Sequence, residues 1–311
     1  MGAFPPARGS VATGTKVAVV LLVPLLASAL IVGGQAILPA VMGLLTITIV
    51  PFCTSRQNVI LIAGAVLTGY LATAAFGNPL AVVSLVTLSC LIAGLVSRLS
   101  AGVYGLAPII AAVLGLNEPQ TTALTAALVM AAVSLYVVVV VAVLKLHVDP
   151  QPVPWDVAVR HAGVMAIACG ATTAVAVHYE WPKAYWLVMT LAIVLRPYAV
   201  DSLERNRQRV IGTLAGAILA AALSPLPRPF LLVSAAICMS LTMAYLLEKN
   251  YVLQVTFMTP MVIFLISSGS VDDTLSLDGL RVIYTVGAAV VGGLVSLALV
   301  RQADSDTAAV P

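Results

Sequence analysis

Apolar residues in this chain come in long unbroken runs, with neither the alternation of a half-buried strand nor the one-sided stripe of a surface helix. Such runs occupy 17–33, 36–53, 57–76, 79–97, 100–116 and 121–145, then 157–177, 182–200, 207–224, 229–247, 251–269 and 280–300. Most are close to the ~17–25 residues that a helix needs to cross a bilayer. The pattern predicts an all-α polytopic membrane protein with about twelve transmembrane helices. The longest polar break, Asp149-Pro150-Gln151-Pro152-Val153-Pro154, has prolines at alternate positions and reads as a stiff, extended linker. It divides the spans into two sets of six, which predicts two repeats. An even number of spans makes the repeats parallel.

The domains expected on this reading are a cytoplasmic tail at 1–16, a first six-helix repeat at 17–146, a linker at 147–156, a second repeat at 157–301 and a tail at 302–311. Lys16 and Arg160 each open a set. Pro108 and Pro260 sit inside the fifth span of each, preceded by Tyr104 and Thr256, and Arg56 marks the junction between spans two and three. The first run has the length of a signal peptide but lacks a convincing cleavage site and precedes many similar runs, so it reads as a retained span.

Composition narrows the class. Hydrophobic residues make up 61% of the 311 and charged residues 9%, with a mean hydropathy of +1.10, whereas soluble domains are typically about 25% charged. A net charge of +3, with no basic run interleaved with aromatics, excludes a nucleic-acid partner. Cys53, Cys90, Cys169 and Cys238 fall in separate apolar runs without metal-ligand spacing and read as small buried residues. His147, His161 and His178 lie at three different span ends and form no metal site, and no cofactor motif is present. Threading the spans puts Lys183, Arg228 and Arg281 on one side and the other twelve of the fifteen Lys and Arg residues on the side of the termini. By the positive-inside rule both termini are cytoplasmic, as expected of a multi-pass cell-membrane protein with the bilayer as its surroundings.

The residues that could carry chemistry cluster at Tyr185–Gly216, two apolar runs joined by an arginine-rich hinge. Asp201 followed by Glu204 predicts a helix start, after which Arg205, Arg209, Gly212 and Gly216 share one stripe. The glycines would let another helix approach closely. The arginines read either as lipid-phosphate anchors or, for Arg196 and Arg209, as a cytoplasmic mouth that attracts carboxylates through planar, permanently charged forks. Pro260, within Gln254-Val255-Thr256-Phe257-Met258-Thr259-Pro260, frees a carbonyl one turn earlier. Gln254, Thr256 and Thr259 would serve either that broken backbone or a passing substrate. His178, Tyr179, Trp181, Tyr185 and Trp186 read as an outer aromatic belt or as a stacking site for an aromatic substrate. No charge falls near the middle of a span as drawn. The nearest acids, Glu248, Glu204, Asp201 and Asp272-Asp273, sit at span ends.

The succession Tyr185-Trp186, an apolar run, Arg196-Pro197, a basic hinge, then Arg209, Gly212-Thr213 and Gly216 resembles the fusaric acid resistance (FUSC) family. Plant aluminium-activated malate channels are distant relatives of that family. The resemblance implies export of organic anions, aromatic or other hydrophobic carboxylic acids, by a secondary transporter with a small organic acid as its partner. A passive anion channel is the nearest alternative, and a membrane enzyme or assembly subunit the alternative of another class. Nothing like HExxH, GxSxG or a P-loop appears. The malate channels build a pore from two six-span protomers, which implies that one chain here acts as a covalent pseudo-dimer and leaves a homo-oligomer open.

Overall fold

The computed structural model describes residues 8–100, 106–145, 149–267 and 270–308, and every regular element in them is helical. Tyr104, His147 and the outermost parts of both tails lie outside the described residues. Twelve α-helices follow in order: α1 Arg8–Ile31, α2 Ile37–Leu44, α3 Ser55–Ala75, α4 Pro79–Val96, α5 Leu106–Gly115, α6 Ala123–Val143, α7 Trp155–His178, α8 Tyr185–Val194, α9 Ala199–Leu223, α10 Arg228–Leu247, α11 Tyr251–Ile266 and α12 Val271–Ala308. Their starts follow local chemistry. Thr54 and Gln57 form a capping box on α3, and Asn78 caps α4 just before Pro79. Thr122 and Asn250 cap α6 and α11.

Eight helical stretches are long and apolar enough to cross a membrane, fewer than the twelve full-length spans expected. The run at 36–53 is interrupted. After α2 it tightens into 3-10 turns in which Thr46 and Thr48 hydroxyls bond the Gly43 and Leu45 carbonyls. Helices α5, α8 and α11 are apolar but short. At 1.5 Å per residue the ten residues of α5 or α8 reach only about 15 Å, half a hydrocarbon core. Leu195, with φ −70° and ψ 120°, leaves the helical region and ends α8 two residues before Pro197. Helix α12 starts at Val271, not near 280, because Ser270 Oγ accepts the Asp273 N–H and Asp272 and Asp273 suit a helix N-terminus.

The chain forms two compact units, 24–203 with 290–311, and 1–23 with 204–289. In the first, α4 lies closest to α7. A Cβ added at Gly94 would come 2.3 Å from Ala162 Cα, and one at Gly170 would meet Thr87. That packing brings Cys90 and Cys169, both fully buried, within hydrogen-bonding reach, although they are far apart in sequence. Helix α3 packs on α5 and α6, α2 on α6, and the short α5 also on α4 and α8. The proline linker is tied to the end of α4: Val153 N–H donates to the Arg98 carbonyl, Gln151 N–H to Ser100 Oγ, and the Arg98 guanidinium lies 5.2 Å from the Trp155 ring centre.

In the other unit α10 packs on α11, and Gly14 of α1 lies against the Ser240 carbonyl and Ala244 N of α10. Arg228 Nη1, at the start of α10, donates to the Phe264 and Ser267 carbonyls at the end of α11. In both units many large apolar side chains are exposed, Leu30, Ile31, Leu80, Ile167 and Ile218 among them, while Ala, Ser, Thr and Gly are frequent on the buried faces. That inverted distribution suits helices whose outer surface meets lipid.

Candidate functional site

Helix α9 supplies the framework. It begins at Ala199, two residues before the Asp201 cap expected. Ser202 turns the preceding corner by accepting the Arg196 N–H at 2.8 Å, with its hydroxyl 3.2 Å from the Tyr198 carbonyl. Glu204 faces along the helix instead, taking hydrogen bonds from Arg207 and Gln208, which hold its carboxyl below the ordinary carboxylate range.

The buried stripe of α9 continues through Arg209, Gly212, Thr213 and Gly216. Arg209 is 2% exposed, and its described hydrogen bond is one donated to the Tyr251 hydroxyl at 3.4 Å. Its Nε and the Thr213 hydroxyl are buried without a hydrogen-bond partner. Arg205 sits 3.2 Å above the centre of the same Tyr251 ring, a cation–π contact, so one tyrosine meets two arginines. One turn further, the glycines admit α11. A Cβ at Gly212 would come 2.7 Å from the Val252 carbonyl, and one at Gly216 2.5 Å from the Thr256 carbonyl. The Thr256 carbonyl is the one that Pro260, lacking an N–H, leaves without its helical donor. The Thr256 and Thr259 hydroxyls bond the Val252 and Val255 carbonyls of their own helix. Gln254 is half-buried.

The remaining sequence candidates belong to the other unit. Arg196 is half-buried, and Pro197, Trp186 and Pro108 are buried. The Trp186 ring meets Tyr185 edge-on at 5.5 Å. Before α8, His178 lies edge-on to Tyr179, and Tyr179 stacks on Trp181. Among the described residues no group of His, Cys, Asp or Glu side chains could hold a metal ion.

Helix α12 brings residues that the sequence reading missed. Thr274, Asp278, Arg281 and Thr285 are all buried, with Asp278 6% and Arg281 3% exposed. They recur at i, i+4, i+7 and i+11, the spacing of the α9 stripe. Extending the last span toward its N-terminus would have found them, and the expectation of charge-free span interiors is thereby corrected.

Registry follows from contacts within this unit. The glycines set α9 parallel to α11, and α12 turns back from the end of α11. Asn206 Nδ2 donates to the Ala289 carbonyl at 2.7 Å. At equal rise along antiparallel helices, Arg209 and Thr213 then stand level with the Arg281–Thr285 turn. That turn is near the middle of the apolar stretch Val271–Ala298. The interior therefore carries two arginines and one aspartate, the Asp278 Oδ1 without a hydrogen-bond partner. Buried cations in excess of buried acids suit an anion.

No curated protein and no solved structure matches the chain. Residues 168–299, from the middle of α7 through the apolar part of α12, match the family model described as Fusaric acid resistance protein-like, so this part of the chain is similar to the FUSC family.

Proposed function

We propose that the protein is a cell-membrane transporter exporting organic anions, aromatic or other hydrophobic carboxylic acids, through twelve crossings arranged as two parallel six-helix repeats. The observation that carries the reading is Arg209, a guanidinium 2% exposed on α9 whose described hydrogen bond goes to the Tyr251 hydroxyl. Intramembrane charges are costly and usually mark a pathway, and a buried guanidinium offers a carboxylate two parallel donors. Nothing in the helical architecture suggests turnover, so an enzyme or assembly role is the weaker reading.

The repeats are supported by residues and by packing. A shift of 148 residues carries Asn58 onto Asn206, Gly64 onto Gly212, Pro79 onto Pro227, Cys90 onto Cys238 and Tyr136 onto Tyr284. Pro108 and Pro260 stand 152 apart, about one helical turn more. The same shift carries Gly14 onto Ala162 and Gly94 onto Thr242, which lies between Ser240 and Ala244. The two tight contacts, α4 with α7 and α10 with α1, are thus the same contact made twice. Orientation rests on charge: with Arg281 inside α12, Lys183 and Arg228 remain outside against twelve cations on the side of the termini.

Reconstituted proteoliposomes test the function. Benzoate uptake that rises with an imposed pH gradient is expected of a secondary transporter. Uptake indifferent to that gradient would favour a passive channel, and absence of uptake would reject transport of this substrate class.

A further inference from the structure

We infer that the chain holds one anion site, built between α9 and α12 of the second repeat, in which Asp278 competes with the substrate carboxylate for Arg281. The inference rests on the transporter reading and on its repeat correspondence. The shift that superposes the repeats carries Leu61 onto Arg209, Ala65 onto Thr213, Ala126 onto Thr274, Met130 onto Asp278, Val133 onto Arg281 and Val137 onto Thr285. All of these first-repeat residues except the half-buried Leu61 are buried like their counterparts, and all are apolar. Helices α3 and α6, which bear them, pack directly on one another. One repeat therefore closes this seam with hydrocarbon, and the other places two guanidiniums, one carboxylate and hydroxyls in it.

Such a seam is destabilising unless something answers its charge. Arg209 Nε, Thr213 Oγ1 and Asp278 Oδ1 are each buried without a hydrogen-bond partner. Asp278 and Arg281 are i, i+3 neighbours, about 5–6 Å apart at Cβ, so the aspartate partly neutralises Arg281 from its own helix. Arg209, level with Val286 by the Asn206–Ala289 registry and so about 7.5 Å along the axis from Arg281, has no carboxylate in its described hydrogen bonds. A carboxylate entering the seam meets Arg209 and Arg281 as donors and Asp278 as a rival of like charge. The ligand class is a monocarboxylate. A second acid group would face Asp278, and among the described residues no third arginine is buried to receive it.

This arrangement gives the two charges opposite mutational signs, which simple structural roles would not. The probe is benzoate binding to purified protein in detergent, read as a concentration-dependent rise in melting temperature, alongside benzoate uptake by proteoliposomes. Arg281→Gln is expected to weaken benzoate about tenfold or more, the scale of a lost charge-assisted hydrogen bond. Asp278→Asn, nearly isosteric, is expected to tighten it several-fold, while Arg207→Gln on the exposed face leaves it unchanged. If benzoate moves and binds in the wild type but Asp278→Asn binds equally or more weakly, the competition is overturned and the transporter reading stands. Should Arg281→Gln fail to fold, the Asp278→Asn result still decides. If the wild type neither binds nor moves benzoate, both readings fall together.

Discussion

Arginine at the centre of a membrane helix costs roughly 2.5–3.5 kcal/mol on insertion scales, and even a half-buried one at a helix end calls for partners. Arg228 has them, since it closes the open carbonyls at the C-terminus of α11, where a cation also suits the helix dipole. Arg228→Met keeps much of the stem and removes the donors. It should lower stability by about 1.5–3 kcal/mol, the value of hydrogen bonds from a charged group, seen as a lower melting temperature in detergent with the half-saturation constant for benzoate unchanged. Arg209 has no comparable partner. In Arg209→Lys the charge stays and the fork is lost, so transport should show a raised half-saturation constant worth about 1–3 kcal/mol at equal surface expression. Wild-type flux in that variant would reduce Arg209 to an anchor. Its position was legible from the stripe it shares with Gly212 and Gly216. Its depth was not, because depth depends on the Asn206–Ala289 contact between helices far apart in sequence.

At the scale of elements, apolar runs reveal where helices lie but not how far each one reaches. The short α8 is readable from Arg196-Pro197, whereas the early start of α12 was hidden because Asp272, Asp273 and Asp278 look like a loop until Ser270 is seen to cap them. The small-residue pattern did indicate close packing. At Gly216 any Cβ would run into the Thr256 carbonyl, so Gly216→Leu should separate α9 from α11 and sharply reduce the yield of folded protein, measured by size-exclusion in detergent. An unchanged monodisperse peak would mean that α11 does not lie on this face. The pairing of α4 with α7 was not legible, since cysteines in separate runs give no sign of meeting. Because Cys90 and Cys169 are adjacent and buried, treatment with copper–phenanthroline should oxidise the two thiols to one disulfide, detected as a linked peptide by mass spectrometry. Cys53 and Cys238 should remain free.

For the whole molecule, the balance of charges sets the orientation, and a labelling experiment checks it. Gln151 in the linker, Asp201 at the start of α9 and Asp272 at the start of α12 are all exposed, and the proposed topology assigns the first two to the side that collects most cations and Asp272 to the other. Ser202, next in sequence to Asp201, is unsuitable because its hydroxyl is buried in the Arg196 corner. Single cysteines at Gln151, Asp201 and Asp272, in a background without the four native cysteines, should therefore divide two to one. An impermeant maleimide applied to intact cells should label Asp272→Cys alone. Permeabilising the cells should expose Gln151→Cys and Asp201→Cys as well. On the proposed topology α9, α10 and α11 cross in succession between them, which puts the Asp201 and Asp272 sites on opposite faces of the membrane. Labelling of both in intact cells would mean that the number of crossings between them is even, and the parallel repeats would fall with it. Labelling of Gln151→Cys and Asp201→Cys without Asp272→Cys would keep the crossing count and invert the protein in the membrane, against the twelve cations that argue for cytoplasmic termini.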